Sequence, residues 1–170
     1  AVNFAADVTF ANGADIITAT AGTSNFRAGV NAGDALASGG VQNVVVGDEA
    51  GTAMTTGSQN SAFGYKALAA TTGADDNSAF GWEALKTNTS GSLNAAFGRS
   101  ALTLNAGGSS NSAFGYAALS SNSSGTFNTA MGRQAGLNVT TGANNTLVGG
   151  LAGDAITTGG SNVALGTSAL

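Results

Sequence analysis

The side chains able to do chemistry in this sequence are few. Among 170 residues there are nine Asp and Glu and five Lys and Arg, with no His, Cys or Pro. Lacking imidazole and thiolate, the chain offers no ligand set for zinc, haem or an iron–sulfur cluster, and no Cys–His pair or Ser-His-Asp triad. No cofactor or metal is therefore expected. Carboxylates remain. Asp48 with Glu49, or Glu83 with Asp75 or Asp76, are of the type that hydrolyses a glycosidic bond when two of them flank it at about 5 to 9 Å. Nothing in the sequence gathers them into a cleft, so neither a catalytic site nor enzymatic activity is expected. Asp75 and Asp76 alone supply too few oxygens for calcium and read as a solvated turn.

A second set is defined by its spacing. Tyr65, Trp82, Arg99, Tyr116 and Arg133 follow one another at intervals of 17 residues. If the fold lays them side by side, rings and guanidinium groups come close enough for stacking and cation–π contact. Such a stripe suits an interface with a neighbouring chain, where aromatics and Arg are enriched; the alternative is a surface along which a sugar chain lies. Glu49, Lys66 and Glu83, one position further on in three successive copies, alternate in sign and are expected to pair between levels.

That interval runs through most of the chain. Asn43, Asn60, Asn77, Asn94, Asn111, Asn128, Asn145 and Asn162 are each 17 residues apart, and each is followed four residues later by a glycine, Gly47 to Gly166. A degenerate ninth copy starts at Asn25, one residue further from its neighbour than the rest. Self-similarity at a fixed period marks a repeat architecture. A copy this short cannot hold two helices, but it has room for two strands of about four or five residues and two turns, with Gly and Asn taking positive φ at the corners. The expectation is an all-β chain: a parallel β-solenoid of about eight 17-residue coils over residues 25–170. Rising one strand spacing per copy, it would be about 38 Å long. Residues 1–24 fall outside the period; Val8, Phe10, Ile16 and Thr18 alternate around Asn12-Gly13, which signals a hairpin and reads as an N-terminal β cap or junction.

In such a coil, equivalent positions form columns. The third residue after each Asn is Val46, Phe63, Phe80, Phe97, Phe114, Met131, Val148 or Leu165, apolar in every copy, and this column is expected to be the core. The eighth is Leu68, Leu85, Leu102 or Leu119 in the central copies, preceded by Ala at the seventh. The asparagines are expected to form an amide ladder, each side chain bonding its equivalent one level away. One copy alone buries too little apolar surface to offset the ordering of its backbone, so stability must come from neighbouring coils.

Composition excludes several partners. With 8% charged residues and a net charge of −4, neither a polyanion partner, nucleic acid included, nor a polybasic membrane contact is expected. No run approaches the roughly 20 apolar residues of a membrane-spanning helix, and Ala1 to Phe10 lacks the basic start of a signal peptide, so membrane insertion is not expected. The last copy stops part-way, at Leu170, and the native protein is expected to continue or to be processed there. Threonine pairs such as Thr71-Thr72 and Thr140-Thr141 slip in register between copies, against a regular ice-binding face. The triplets that begin at Asn88, Asn122, Asn138 and Asn144 match the glycosylation acceptor pattern and read as by-products of polar turns.

The segment Ser161-Asn162-Val163-Ala164-Leu165-Gly166-Thr167-Ser168-Ala169-Leu170 is similar to the repeat in the head domains of YadA-like trimeric autotransporter adhesins. The copies Asn60 to Leu68, Asn77 to Leu85 and Asn111 to Leu119 more closely resemble the Asn-Thr-Ala-x-Gly-Tyr-x-Ala-Leu repeats of bacteriophage tail fibres. The resemblance covers about residues 25–170 and implies a left-handed β-roll assembled as a homotrimeric fibre. It implies a structural part of a virion tail, joined to adjoining fibre or baseplate domains and able to meet a host-surface glycan. The adhesin alternative implies a bacterial cell surface and a head that binds matrix or glycan. A third class is an extracellular filament in which coil ends stack from subunit to subunit.

Overall fold

The computed structural model describes residues 24–36 and 39–170, and the expected cap over residues 1–24 lies, apart from Ser24, outside them. The described residues form nine strands: β1 (Phe26–Ala28), β2 (Val44–Val46), β3 (Ser61–Phe63), β4 (Ser78–Phe80), β5 (Ala95–Phe97), β6 (Ser112–Phe114), β7 (Thr129–Met131), β8 (Thr146–Val148) and β9 (Val163–Leu165). They pair in parallel and in sequence order in one sheet. Each residue faces its equivalent in the next copy: Ser78 faces Ala95, Ala79 faces Ala96 and Phe80 faces Phe97. The first pair carries the extra residue anticipated at the degenerate copy, with Phe26 opposite Val44. The chain is a parallel β-solenoid that closes its own coil and climbs one strand spacing per turn.

Each coil holds one strand of three residues, not two of four or five. Corners in left-handed conformation break up the rest of the path: in the fifth copy Ser100 has φ 59°, Leu102 52° and Ser110 59°. Hydrogen bonding to the neighbouring level continues through these corners, as in Ser100 N–H to the Trp82 carbonyl (2.9 Å) and Leu102 N–H to the Ala118 carbonyl (3.0 Å). The glycine after each strand has its own reason. At Gly98, φ is 140°, and a Cβ there would come within 2.5 Å of the Gly115 carbonyl oxygen on the next level.

The interior is where the structure departs most from expectation. Strand side chains alternate between faces, and the second residue after each Asn points inward: Ala62, Ala79, Ala96, Ala113 and Ala130 are fully buried. The expected core column, Phe63, Phe80, Phe97, Phe114 and Met131, is therefore on the outer face, and Phe97 is 36% and Met131 47% exposed. A coil this narrow has no room for a phenyl ring beside the inward Leu. Its lumen is filled instead by that alanine, the alanine column from Ala50 to Ala152, and Leu68, Leu85, Leu102 and Leu119.

Lumen volume is kept level by exchange between positions. The four leucines adopt left-handed φ of 50–54°, a conformation that costs an L-residue about 1–2 kcal/mol and is held because the side chain fills the coil. Where the eighth residue is glycine, other positions enlarge. Around Gly51 the fillers are Val45 and Met54; around Gly136 and Gly153 they are Leu147, Val139 and Ile156. In the degenerate first coil the stem of Arg27 packs against Gly33, and its guanidinium donates to the Gly33 carbonyl at 2.7 Å.

Asparagine builds the remaining corner. Each buried Asn Oδ1 accepts the backbone N–H of the Asn one level up, 3.0 Å for Asn111 on Asn94 and 3.1 Å for Asn94 on Asn77. The amide nitrogen of Asn94 donates to the Asn77 Oδ1 one level down at 3.1 Å and to the Gly108 carbonyl at 2.9 Å, whereas that of Asn128 donates to the Gly142 carbonyl alone, at 2.8 Å. The anticipated ladder is present from Asn25 to Asn162. A second ladder was not anticipated. Asn88, Asn105 and Asn122 are fully buried at the eleventh position, with Asn105 Nδ2 on Asn88 Oδ1 at 2.9 Å and Asn122 Nδ2 on Asn105 Oδ1 at 2.8 Å. It stops where the next level carries Val139, leaving Asn122 Oδ1 buried without a partner among the described residues.

Candidate functional site

The outer face of the sheet and the corner beside it carry the candidate groups. Because equivalent residues sit one strand spacing apart, the phenylalanines stack along the rod. Ring centroids are 4.7 Å apart for Phe63 and Phe80, 4.8 Å for Phe80 and Phe97, and 5.0 Å for Phe97 and Phe114, with planes within 11° of parallel. Met131 and Leu165 extend the column, the latter 78% exposed. The result is a continuous apolar ridge along the outside of the sheet.

Past the glycine bend runs the stripe of the fifth position. Tyr65 and Trp82 stack at 6.0 Å, and the Arg99 guanidinium lies over Trp82 at 4.7 Å and over Tyr116 at 5.9 Å. The structure thus brings four of the five stripe residues into mutual contact, with Arg133 one level beyond Tyr116 in the same column. Both faces of the Trp82 ring are occupied, by Tyr65 below and Arg99 above. A sugar lying flat on that ring is excluded by this geometry, and the stripe presents ring edges and guanidinium nitrogens outward.

Charges at the sixth position pair only in part as expected. Lys66 Nζ is 3.3 Å from Glu49 on the level below. Glu83 turns instead to Lys86 in its own coil, at 2.8 Å. Hydrogen bonding with Tyr65 first, and with Glu49 next, raises the pKa of the Lys66 ammonium above its ordinary value, and the Tyr65 ring centroid is 5.0 Å from Nζ. Two further carboxylates act as local clamps: Asp48 accepts the Val30 N–H at 3.0 Å and Asp75 the Ser58 N–H at 2.8 Å. Among the described residues no three metal-ligating side chains come together. Asn88 and Asn122, which begin two of the acceptor triplets, are sealed inside the second ladder.

Two features had a signal in the sequence that went unread. The inward Ala column recurs as strictly as the Phe column beside it, and strand alternation allows only one of the two to face inward. Asn88, Asn105 and Asn122 are themselves spaced by 17. No protein-family model, curated protein or solved structure matches the chain.

Proposed function

We propose that this chain is a structural segment of a phage tail fibre or tailspike, a homotrimeric left-handed β-roll that extends and stiffens an appendage contacting a host. The observation that carries this reading is the apolar ridge of Phe63, Phe80, Phe97, Phe114, Met131 and Leu165 on the outside of a single-chain solenoid. Soluble monomers seldom leave a contiguous apolar surface of that kind in water. Three copies that turn their ridges toward a common axis remove it, and three is the number that the likeness to phage fibre repeats implies. The work is mechanical. Nine levels are tied by backbone hydrogen bonds and by an amide ladder along the whole rod, so load along the axis is shared between levels.

The adhesin-head reading stands second, favoured by the likeness of residues 161–170 to that repeat. Molecular mass in solution, measured together with rod length, tests the assembly. Three chains and about 5 Å per coil are expected, and a chain that stays single at micromolar concentration overturns it. Genes for baseplate and lysis proteins beside its own are expected for the phage reading; a membrane-anchor barrel downstream in the same gene would replace it with the adhesin.

A further inference from the structure

The five cations of the chain fall into two groups. Lys66 is paired with Glu49, Lys86 with Glu83, and Arg27 donates to a backbone carbonyl inside its coil. Arg99 and Arg133 are exposed, and their guanidinium groups have no hydrogen-bond acceptor among the described residues. Their surroundings do not neutralise them either. Between Glu83 and Asp154 the sequence contains no carboxylate at all, while Lys86, Arg99 and Arg133 lie in that stretch. The rod is therefore acidic at β2 to β4 and cationic at β5 to β7.

Arg99 is also held in place. Between the rings of Trp82 and Tyr116 it loses much of the rotamer freedom that an exposed Arg keeps. A guanidinium fixed over ring faces still offers its planar fork of N–H donors, which matches a carboxylate or sulfate bidentately. Preorganisation of this kind lowers the ordering cost of binding. Arg133 repeats the donor set two levels up, about 9.6 Å away at the strand spacing, with the edge of Tyr116 between.

We propose that the Arg99–Tyr116–Arg133 edge binds an extended acidic polysaccharide whose anionic groups recur on alternate sugars. A sugar of an extended chain advances by roughly one strand spacing, so anions on every second sugar meet Arg99 and Arg133 in turn, while the intervening sugar passes the Tyr116 edge. The contact is through guanidinium N–H groups, not through the faces of the Trp82 ring, which Tyr65 and Arg99 cover. The site lies on one chain and does not rest on the proposed trimer.

The test uses the whole chain and hyaluronate, which carries a carboxylate on alternate sugars, with neutral dextran, dextran sulfate and polyglutamate as comparison probes. Mass in solution is recorded on the same samples, so that a failed assembly is not mistaken for a failed site. Hyaluronate is expected to bind with an affinity that falls at least about tenfold as salt shortens the screening length from about 10 Å to about 3 Å. Arg99→Gln and Arg133→Gln are each expected to weaken it about tenfold, while Lys86→Gln changes it less than about twofold because that cation is already paired. Dextran sulfate binding with the same Arg dependence and hyaluronate not bound would assign the sulfated class and overturn the alternate-carboxylate match. Equal binding of dextran, equal binding of polyglutamate, or equal losses in Lys86→Gln and Arg99→Gln overturns the proposal.

Discussion

The inner and outer faces of this one sheet carry columns repeated with equal strictness, yet opposite constraints choose their residues. Inside, size is rationed: Ala96 sits where Val45 or Leu147 sits only when the neighbouring Leu is replaced by glycine. Outside, Phe97 meets equivalent rings above and below at 4.8 and 5.0 Å and is otherwise open to water. Repetition inside therefore reports a fixed cross-section, and repetition outside reports rings that stack along the rod. Apolar character alone does not separate the two; parity along the strand does.

That contrast is broken most severely from within. Ala113→Asp would bury an unpaired charge in the lumen, and an effect above about 4 kcal/mol is expected, read as loss of the cooperative β melt by circular dichroism. Asn94→Ala comes next. It strips the buried Asn111 N–H of its acceptor, at about 1–3 kcal/mol, while the Gly108 carbonyl keeps the amide of Asn105, and hydrogen exchange should show the opening centred on those levels. Trp82→Ala removes an outer contact only. The lost stacking on Tyr65 and the cation–π contact with Arg99 amount to about 1–2 kcal/mol, and the transition should shift without changing shape.

The smallest effect sharpens the contrast rather than breaking it. Asn122 ends the second ladder with an unpartnered buried oxygen, directly below Val139. Asn122→Val is expected to change stability by about 1 kcal/mol or less, because it removes the two donor bonds of Asn122 together with their donors, leaves the Gly125 carbonyl its bond from Asn111, and only moves the orphan acceptor one level down to Asn105. Asn105→Val, in the middle of the same ladder, should cost more, since Asn88 and Asn122 both bond it. Equal losses in these two variants would show that the ladder does not act through its bonds.

Much of this architecture is legible in the amino-acid sequence. The 17-residue register, the shift at Asn25 and the Asn43 to Asn162 ladder follow from identical side chains recurring without insertion, because stacking is the only arrangement that uses such identity. The position of the Phe column is not legible from size, because the largest apolar residue is not the deepest. Ring volume is a guide to depth only in an interior wide enough to hold it, and a lumen already occupied by Leu102 and Ala101 is not. The number of strands per coil is hidden in the sequence for a related reason. Leu and Ser in left-handed conformation, as at Leu102 and Ser100, carry no local signature of the kind that Gly and Asn carry, so the sequence marks corners only at Gly and Asn. Of the stripe, the contact of Arg99 with Trp82 was legible from spacing, whereas the closing of the ring faces needed the stack itself.

The most direct test of the account places a charge on the ridge. Phe97→Asp puts a carboxylate on the outer face, where water can solvate it. The β signal and a cooperative melt should persist, while the mass in solution falls from three chains to one. Loss of the fold would return Phe97 to the interior, and an unchanged mass would take the ridge out of the assembly.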